Sequence, residues 1–275
     1  MSRLRAALTG VVATGAVTAA LEARPPGGPE RWQRTNYAGR TVSLLGGAVQ
    51  AGAAGLAALM VGGRTGAAGA VAVASAGAMG AVDDLTEAED DRHIKGLRGH
   101  LGELRQGRVT TGALKIAGIG AGALAAAALL PPDRRRGPVT RLADVAGRGM
   151  LIAATANLLN LFDLRPGRAG KVSCLIAAPL TVAGGPGAAL AAGTLGVAAA
   201  GLPDDLGERT MLGDTGANAL GASLGTALAA HPSRTVRLGS LGAVVGLTLL
   251  SERVSFSALI ERTPVLRTVD ELGRR

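Results

Sequence analysis

ALKIAGIGAGALAAAALL, residues 113–130, is a run of eighteen residues with a single charge. Wound as an α-helix it is about 27 Å long, close to the ~30 Å hydrocarbon core of a bilayer. Similar runs occupy 48–61, 150–161 and 238–250. Hydrophobic residues make up 48% of the 275-residue chain, yet it has only one Trp, one Tyr and two Phe. That is too little aromatic bulk for the usual core of a soluble domain this long. The apolar residues are mainly Ala, interspersed with 43 Gly, so the mean hydropathy is a modest +0.31. Each helix alone inserts weakly, and close backbone approach between small residues must supply the stability.

The pattern predicts helices over 5–22, 41–62, 67–83, 111–131, 139–162, 170–184, 187–201, 215–230 and 235–251. The expected fold is all-α, a polytopic transmembrane bundle of about nine helices forming one integral membrane domain over 1–275. Met1 to Ala23, with Arg3 and Arg5 before an apolar run, is expected as a retained first helix and not a cleaved signal. With the N-terminus outside, the cytoplasmic segments are 23–40, 84–110, 163–169, 202–214 and the tail 252–275. Most Lys and Arg then lie inside, as the positive-inside rule requires. The exception is the outer loop from Pro131 to Pro138, which carries Arg134, Arg135 and Arg136. The net charge of +9 fits a cytoplasmic membrane face better than nucleic acid, because aromatic stacking residues are nearly absent. Cys174 is alone, which excludes an intramolecular disulfide, and it is expected as a packing residue.

Three groups of polar residues fall on the same predicted face. Asp83 and Asp84 end the third helix, with Lys95 and Gly96 beyond them. Adjacent carboxylates at a membrane boundary call for a proton or a divalent cation, although a solvated acidic helix end is the simpler alternative. Asn157, Asn160 and Asp163 recur at a spacing of three near the end of the fifth helix. The asparagines suit either a ligand or interhelical hydrogen bonds, and Arg165 or Arg168 could pair with Asp163. Gly213-Asp214-Thr215-Gly216 opens another helix. There Asp214 suits either a helix cap or a metal held near phosphate. Asp204-Asp205, just upstream, is expected to be exposed. Oxygen ligands of this kind suit Mg²⁺. His93, His100 and His231 have no zinc-like spacing.

At these residues the chain resembles the polyprenyl-phosphate N-acetylhexosamine-1-phosphate transferases, the family that includes the phospho-MurNAc-pentapeptide translocase. Asp83-Asp84 with Lys95-Gly96 resembles the family's Asp-Asp loop. Asn157 to Asp163 is similar to its Asn-x-x-Asn-Leu-x-Asp pattern, and Gly213 to Gly216 to its Gly-Asp-Thr-Gly loop. The resemblance covers roughly residues 80 to 225. It implies Mg²⁺-dependent transfer of a sugar 1-phosphate from a UDP-sugar to polyprenyl (undecaprenyl) phosphate at a bacterial cytoplasmic membrane, releasing UMP, in cell-envelope glycan synthesis. Asp83, Asp84 and Asp163 would be catalytic, and Asp214 with Asp163 would hold the metal. Lys95, Asn157, Asn160, Arg165 and Arg168 would bind substrate. The implied partners are lipid phosphate, UDP-sugar and the membrane, with a homodimer admitted and no nucleic acid. Residues 251–275 hold no histidine where the family carries a histidine-rich loop. A noncatalytic descendant that binds lipid phosphate or an envelope enzyme is therefore the alternative, and a transporter is a third reading.

Overall fold

The computed structural model describes residues 1–86, 111–132 and 137–274. The helices are α1 (Arg3–Ala23), α2 (Leu45–Val61), α3 (Gly63–Thr86), α4 (Thr111–Leu129), α5 (Pro138–Phe162) and α6 (Arg168–Ala183). They continue as α7 (Ala188–Leu206), α8 (Gly213–Ala229), α9 (Arg234–Ser251), α10 (Phe256–Arg262) and α11 (Pro264–Glu271). Four of them, α1, α3, α4 and α5, are long and apolar enough to cross a membrane. The α9–α10 pair, bent by 92°, makes a fifth if it is one span. The chain is thus mostly helical and has the helices of a membrane-spanning protein. The remaining long helices fall short of that test because Ala and Gly contribute little hydropathy and several are short; α2, for instance, is apolar but has only 17 residues.

One departure from an all-α chain is a hairpin of two three-residue strands: β1 (Gln33–Thr35) lies in the segment expected as a loop, and β2 (Thr41–Ser43) takes the start of the helix expected from 41, which begins at Leu45 instead. Its turn is tied by the Asn36 side chain, whose Oδ1 accepts the Ala38 and Arg40 amides, with Gly39 in a left-handed conformation.

The bundle is built around α8, which buries 15 of its 17 residues. Helices α3 and α5 pack along it, with α2 beside them, and α1 packs on α7 and α2. Small residues make these approaches possible. A Cβ on Gly221 would come within 2.6 Å of Ala156 Cα on α5, and one on Gly80 within 2.3 Å of the Asp214 carbonyl oxygen. Leu151, Ile152, Leu159, Leu220 and Leu224 fill the interior between the small residues, while other large apolar side chains point outward, among them Leu4, Val12, Leu59, Leu175 and Val182. Exposed Leu and Val on the outside of the bundle are expected where lipid, not water, covers the surface.

The chain alternates between the two ends of this bundle. Arg3 donates to the Thr181 and Val182 carbonyls, and Arg64 to that of Leu129, so the start of α1 and the ends of α6 and α4 share the bland end. The hairpin, the end of α3, the start of α8 and the tail share the other.

Candidate functional site

The close contact at Gly80 sets the geometry of the polar end, because it brings the last turns of α3 against the first residues of α8. The Asp84 carboxylate accepts the Asp214 amide (3.0 Å), the Thr215 amide (2.9 Å) and the Thr215 hydroxyl (2.6 Å). An anion at a helix N-terminus satisfies amides that have no partner in the helix itself. Gly213, at φ +59°, turns the chain into α8 directly beside Asp84, where a Cβ would lie 3.0 Å from a carboxylate oxygen. The α3 end is fastened from the other side by Arg34 of β1, which donates to the Asp84 carbonyl at 2.6 Å.

Asp83 and Asp214 converge on one cation. Lys115, in the first turns of α4, donates to Asp83 Oδ2 at 3.0 Å and to Asp214 Oδ2. The Asn218 amide fixes the same turn of α8 by donating to the Asp214 carbonyl at 2.7 Å. Asp163 follows the last residue of α5, half-buried. Burial pushes its carboxyl well above the usual carboxylate range, and the nearby Asp205 and Asp84 charges add to this. The Gly213 amide and the Arg168 charge offset it only in part. The structure therefore brings Asp83, Asp84, Asp163 and Asp214 to one end of three different helices.

Other expected residues are placed differently. Arg168 does not pair with Asp163. Its buried guanidinium makes two bonds to Asp270 of α11, at 2.7 and 3.0 Å, and a third to Ser257. Arg165 lies over the Tyr37 ring at 4.4 Å and 3.8 Å from Glu261. Asn157 is exposed and Asn160 half-buried, and neither side chain makes a hydrogen bond among the described residues. Lys95 lies outside the described residues. Asp205, expected to be exposed, is buried and accepts the Gly167 amide at 3.0 Å, because the tail folds over this loop. Asp204 beside it is half-buried and accepts from Arg209.

The tail α10–α11 closes over the loop that carries Asp163. Phe256 stacks on Phe162 with ring centroids 4.9 Å apart, and Lys171 donates to the Val269 and Asp270 carbonyls. Burial alone would raise the Asp270 carboxyl, but the Arg168 and Arg274 guanidinia outweigh it and hold the group below its usual range. Asp270→Ala should strand a buried guanidinium at a cost of about 3 kcal/mol. Limited trypsinolysis should then cut at Arg262 or Arg267 several-fold faster than in the unmodified protein. Equal cleavage rates would mean that this ion pair does not hold the tail.

Burial pushes the Asp205 carboxyl up to about 6. The folded protein therefore binds this proton more tightly than the unfolded chain, and stability falls as pH rises from ~4 through about 6. Asp205→Asn can still accept the Gly167 amide but cannot ionise. Its melting temperature should vary less between pH 4 and 7 than that of the unmodified protein, and an unchanged pH profile would contradict this assignment.

Two contributors escaped the sequence reading. Lys115 is the only charge in the 113–130 run, and a lone ammonium in an apolar helix is a signal for a partnered, functional group. Thr215 lay within a recognised motif, but its hold on Asp84 depends on a partner 131 positions away.

The donor chemistry here suits a hard cation: carboxylate oxygens, two of them already sharing a positive charge. Among the described residues no three carboxylates converge on one point. No family model matches the chain, and a search of curated proteins found no match either.

Proposed function

We propose that the protein transfers a sugar 1-phosphate from a UDP-sugar to a polyprenyl phosphate, releasing UMP, at the cytoplasmic face of a bacterial membrane. The observation that carries this reading is the convergence of Asp83 and Asp214 on a single cation position while Asp84 pins the Asp214 backbone. In the proposed reaction a lipid-phosphate oxygen attacks the sugar-bearing phosphorus, one P–O–P linkage forms as the other breaks, and UMP leaves. Both reactants are anions, so the barrier is chiefly their mutual repulsion and their alignment.

Asp214 with Asp163 would hold Mg²⁺, which when bound would supply positive charge that offsets the two phosphates, while Asp83 faces Asp214 across the Lys115 ammonium. Asp84 positions Asp214 through its amide. Lys115 neutralises the carboxylates when substrate is absent and is placed to turn its ammonium to phosphate when they are otherwise engaged. The Phe162–Phe256 stack and the tail limit water on the Asp163 side.

A noncatalytic, lipid-phosphate-binding descendant is the second reading, favoured by two observations: Lys115 already satisfies the cation position, and Asp270 already occupies Arg168. Lys115→Met separates the two readings. If Lys115 and a divalent cation share one position, the variant should bind Mg²⁺ several-fold more tightly, read as a larger Mg²⁺-induced rise in melting temperature. An identical Mg²⁺ response in both proteins would favour the noncatalytic reading.

A further inference from the structure

The last helix has its polarity reversed. The one buried residue of α11 is the charged Asp270, whose carboxylate takes two bonds from the Arg168 guanidinium and one from Arg274. On a helix of 3.6 residues per turn Val265 lies about 140° around from Asp270, on the far side from the bundle. It is 72% exposed, and Leu272, directly after the helix, is 69% exposed. Val269, one turn beyond Val265, extends the same exposed face. A surface helix in water has the opposite pattern, with its apolar stripe on the core and its charges outside. The Arg168–Asp270 pair fixes the roll of α11, so this apolar face is held outward.

The depth of the tail follows from its neighbours. Helix α9 runs beside α5 from the Asp144–Arg237 ion pair, in the early turns of both, to the Phe162–Phe256 stack at the end of α5. Because α5 is long and apolar enough to cross a membrane, the 92° bend between α9 and α10 falls level with the boundary at the polar end. A turn of that size sends α10 along the membrane plane. Arg168 bonds Ser257 of α10 as well as Asp270, which keeps α11 at the same level. Exposed apolar side chains also recur along the chain from the last turn of α9 into the tail, at Leu249, Leu250, Val254, Leu259 and Val265. The apolar exterior of the bundle thus continues onto α10 and α11.

We propose that α11 lies in the headgroup–acyl boundary of the leaflet at the polar end, with Val265, Val269 and Leu272 inserted among the lipid chains. Residues 252–275 carry four acidic and five basic side chains, so charge gives little attraction and apolar burial drives the contact. Lys171 and Arg168 join this helix to the start of α6, so the bilayer also steadies the loop that carries Asp163. The assignment does not depend on the transferase reading.

The chain has a single cysteine, half-buried Cys174, and Cys174→Ala gives a background for nitroxide labelling. Val265→Cys, Leu272→Cys and Arg267→Cys would each be labelled in the full chain, checked for an unchanged melting temperature and reconstituted in phosphatidylcholine vesicles. Labels at 265 and 272 should collide several-fold more with oxygen, which concentrates in lipid, than with a water-soluble nickel chelate. The label at 267, on the polar side of α11, should show the reverse preference. Nickel access at 265 and 272 equal to that at 267 would overturn the proposal, since the face would then be in water. Poor access of both agents at 265 and 272 would also overturn it, and dipolar broadening between labels would identify a second copy of the chain as the cover.

Discussion

Asp214→Asn is expected to lower turnover by at least about 100-fold while leaving the protein folded in the membrane. The fold survives because the bond to Asp84 comes from the backbone amide of residue 214, which the substitution keeps. The Asn218 side chain likewise meets the 214 carbonyl and not its carboxylate. What the variant loses is one of the two negative charges that meet at Lys115. If that carboxylate serves only to hold the lysine, activity should fall little and melting should shift slightly. If it holds a divalent cation, activity should collapse and the Mg²⁺ requirement should rise sharply. Asn157→Asp, which adds an anion about 9 Å back along α5 from Asp163, should weaken substrate binding even at saturating Mg²⁺.

Asp84→Ala should be the most destabilising change at the site. It orphans two amides and one hydroxyl at the start of the most buried helix, at a combined cost of about 3 kcal/mol or more. Activity and melting temperature should therefore fall together. Asp84→Asn keeps one good acceptor and should fall between the two. Asp83→Ala should separate the effects, because Asp83 bonds only Lys115 among the described residues and no helix end depends on it. Its melting temperature should stay near that of the unmodified protein while turnover drops. A normal melting temperature for Asp84→Ala would contradict the pinning of Asp214 by Asp84.

The contrast between these neighbouring aspartates indicates what a sequence can and cannot disclose. Runs such as 113–130 announce helices because burial of apolar residues is a local property of composition, and α4 covers nearly that stretch. The three polar motifs were equally legible, since charge beside an apolar run needs an explanation wherever it occurs. Nothing local distinguishes Asp83 from Asp84, however. That difference arises from which side of α3 meets α8, a contact set by Gly80 across 134 positions. Arg168 illustrates the same limit: its position suggested phosphate, but its partner Asp270 lies 102 residues away in a tail with no motif. The hairpin at 33–43 escaped because three-residue strands are too short to show alternation, and its Asx turn is a weak signal by itself. The expected number of crossings rested on treating each Ala/Gly run as a span. Such residues pack well between helices yet contribute little to membrane insertion, so composition cannot separate a span from an interior helix.

Release of UMP is the most direct test of whether the protein is a catalyst. Detergent-solubilised protein with an intact melting transition would be incubated with undecaprenyl phosphate and a panel of UDP-sugars, with and without Mg²⁺. UMP should form with at least one sugar, dependent on both lipid phosphate and Mg²⁺, and should be lost in Asp214→Asn. Absence of UMP from every donor in a preparation that remains folded and retains lipid phosphate would contradict the transferase reading and leave a noncatalytic binding protein.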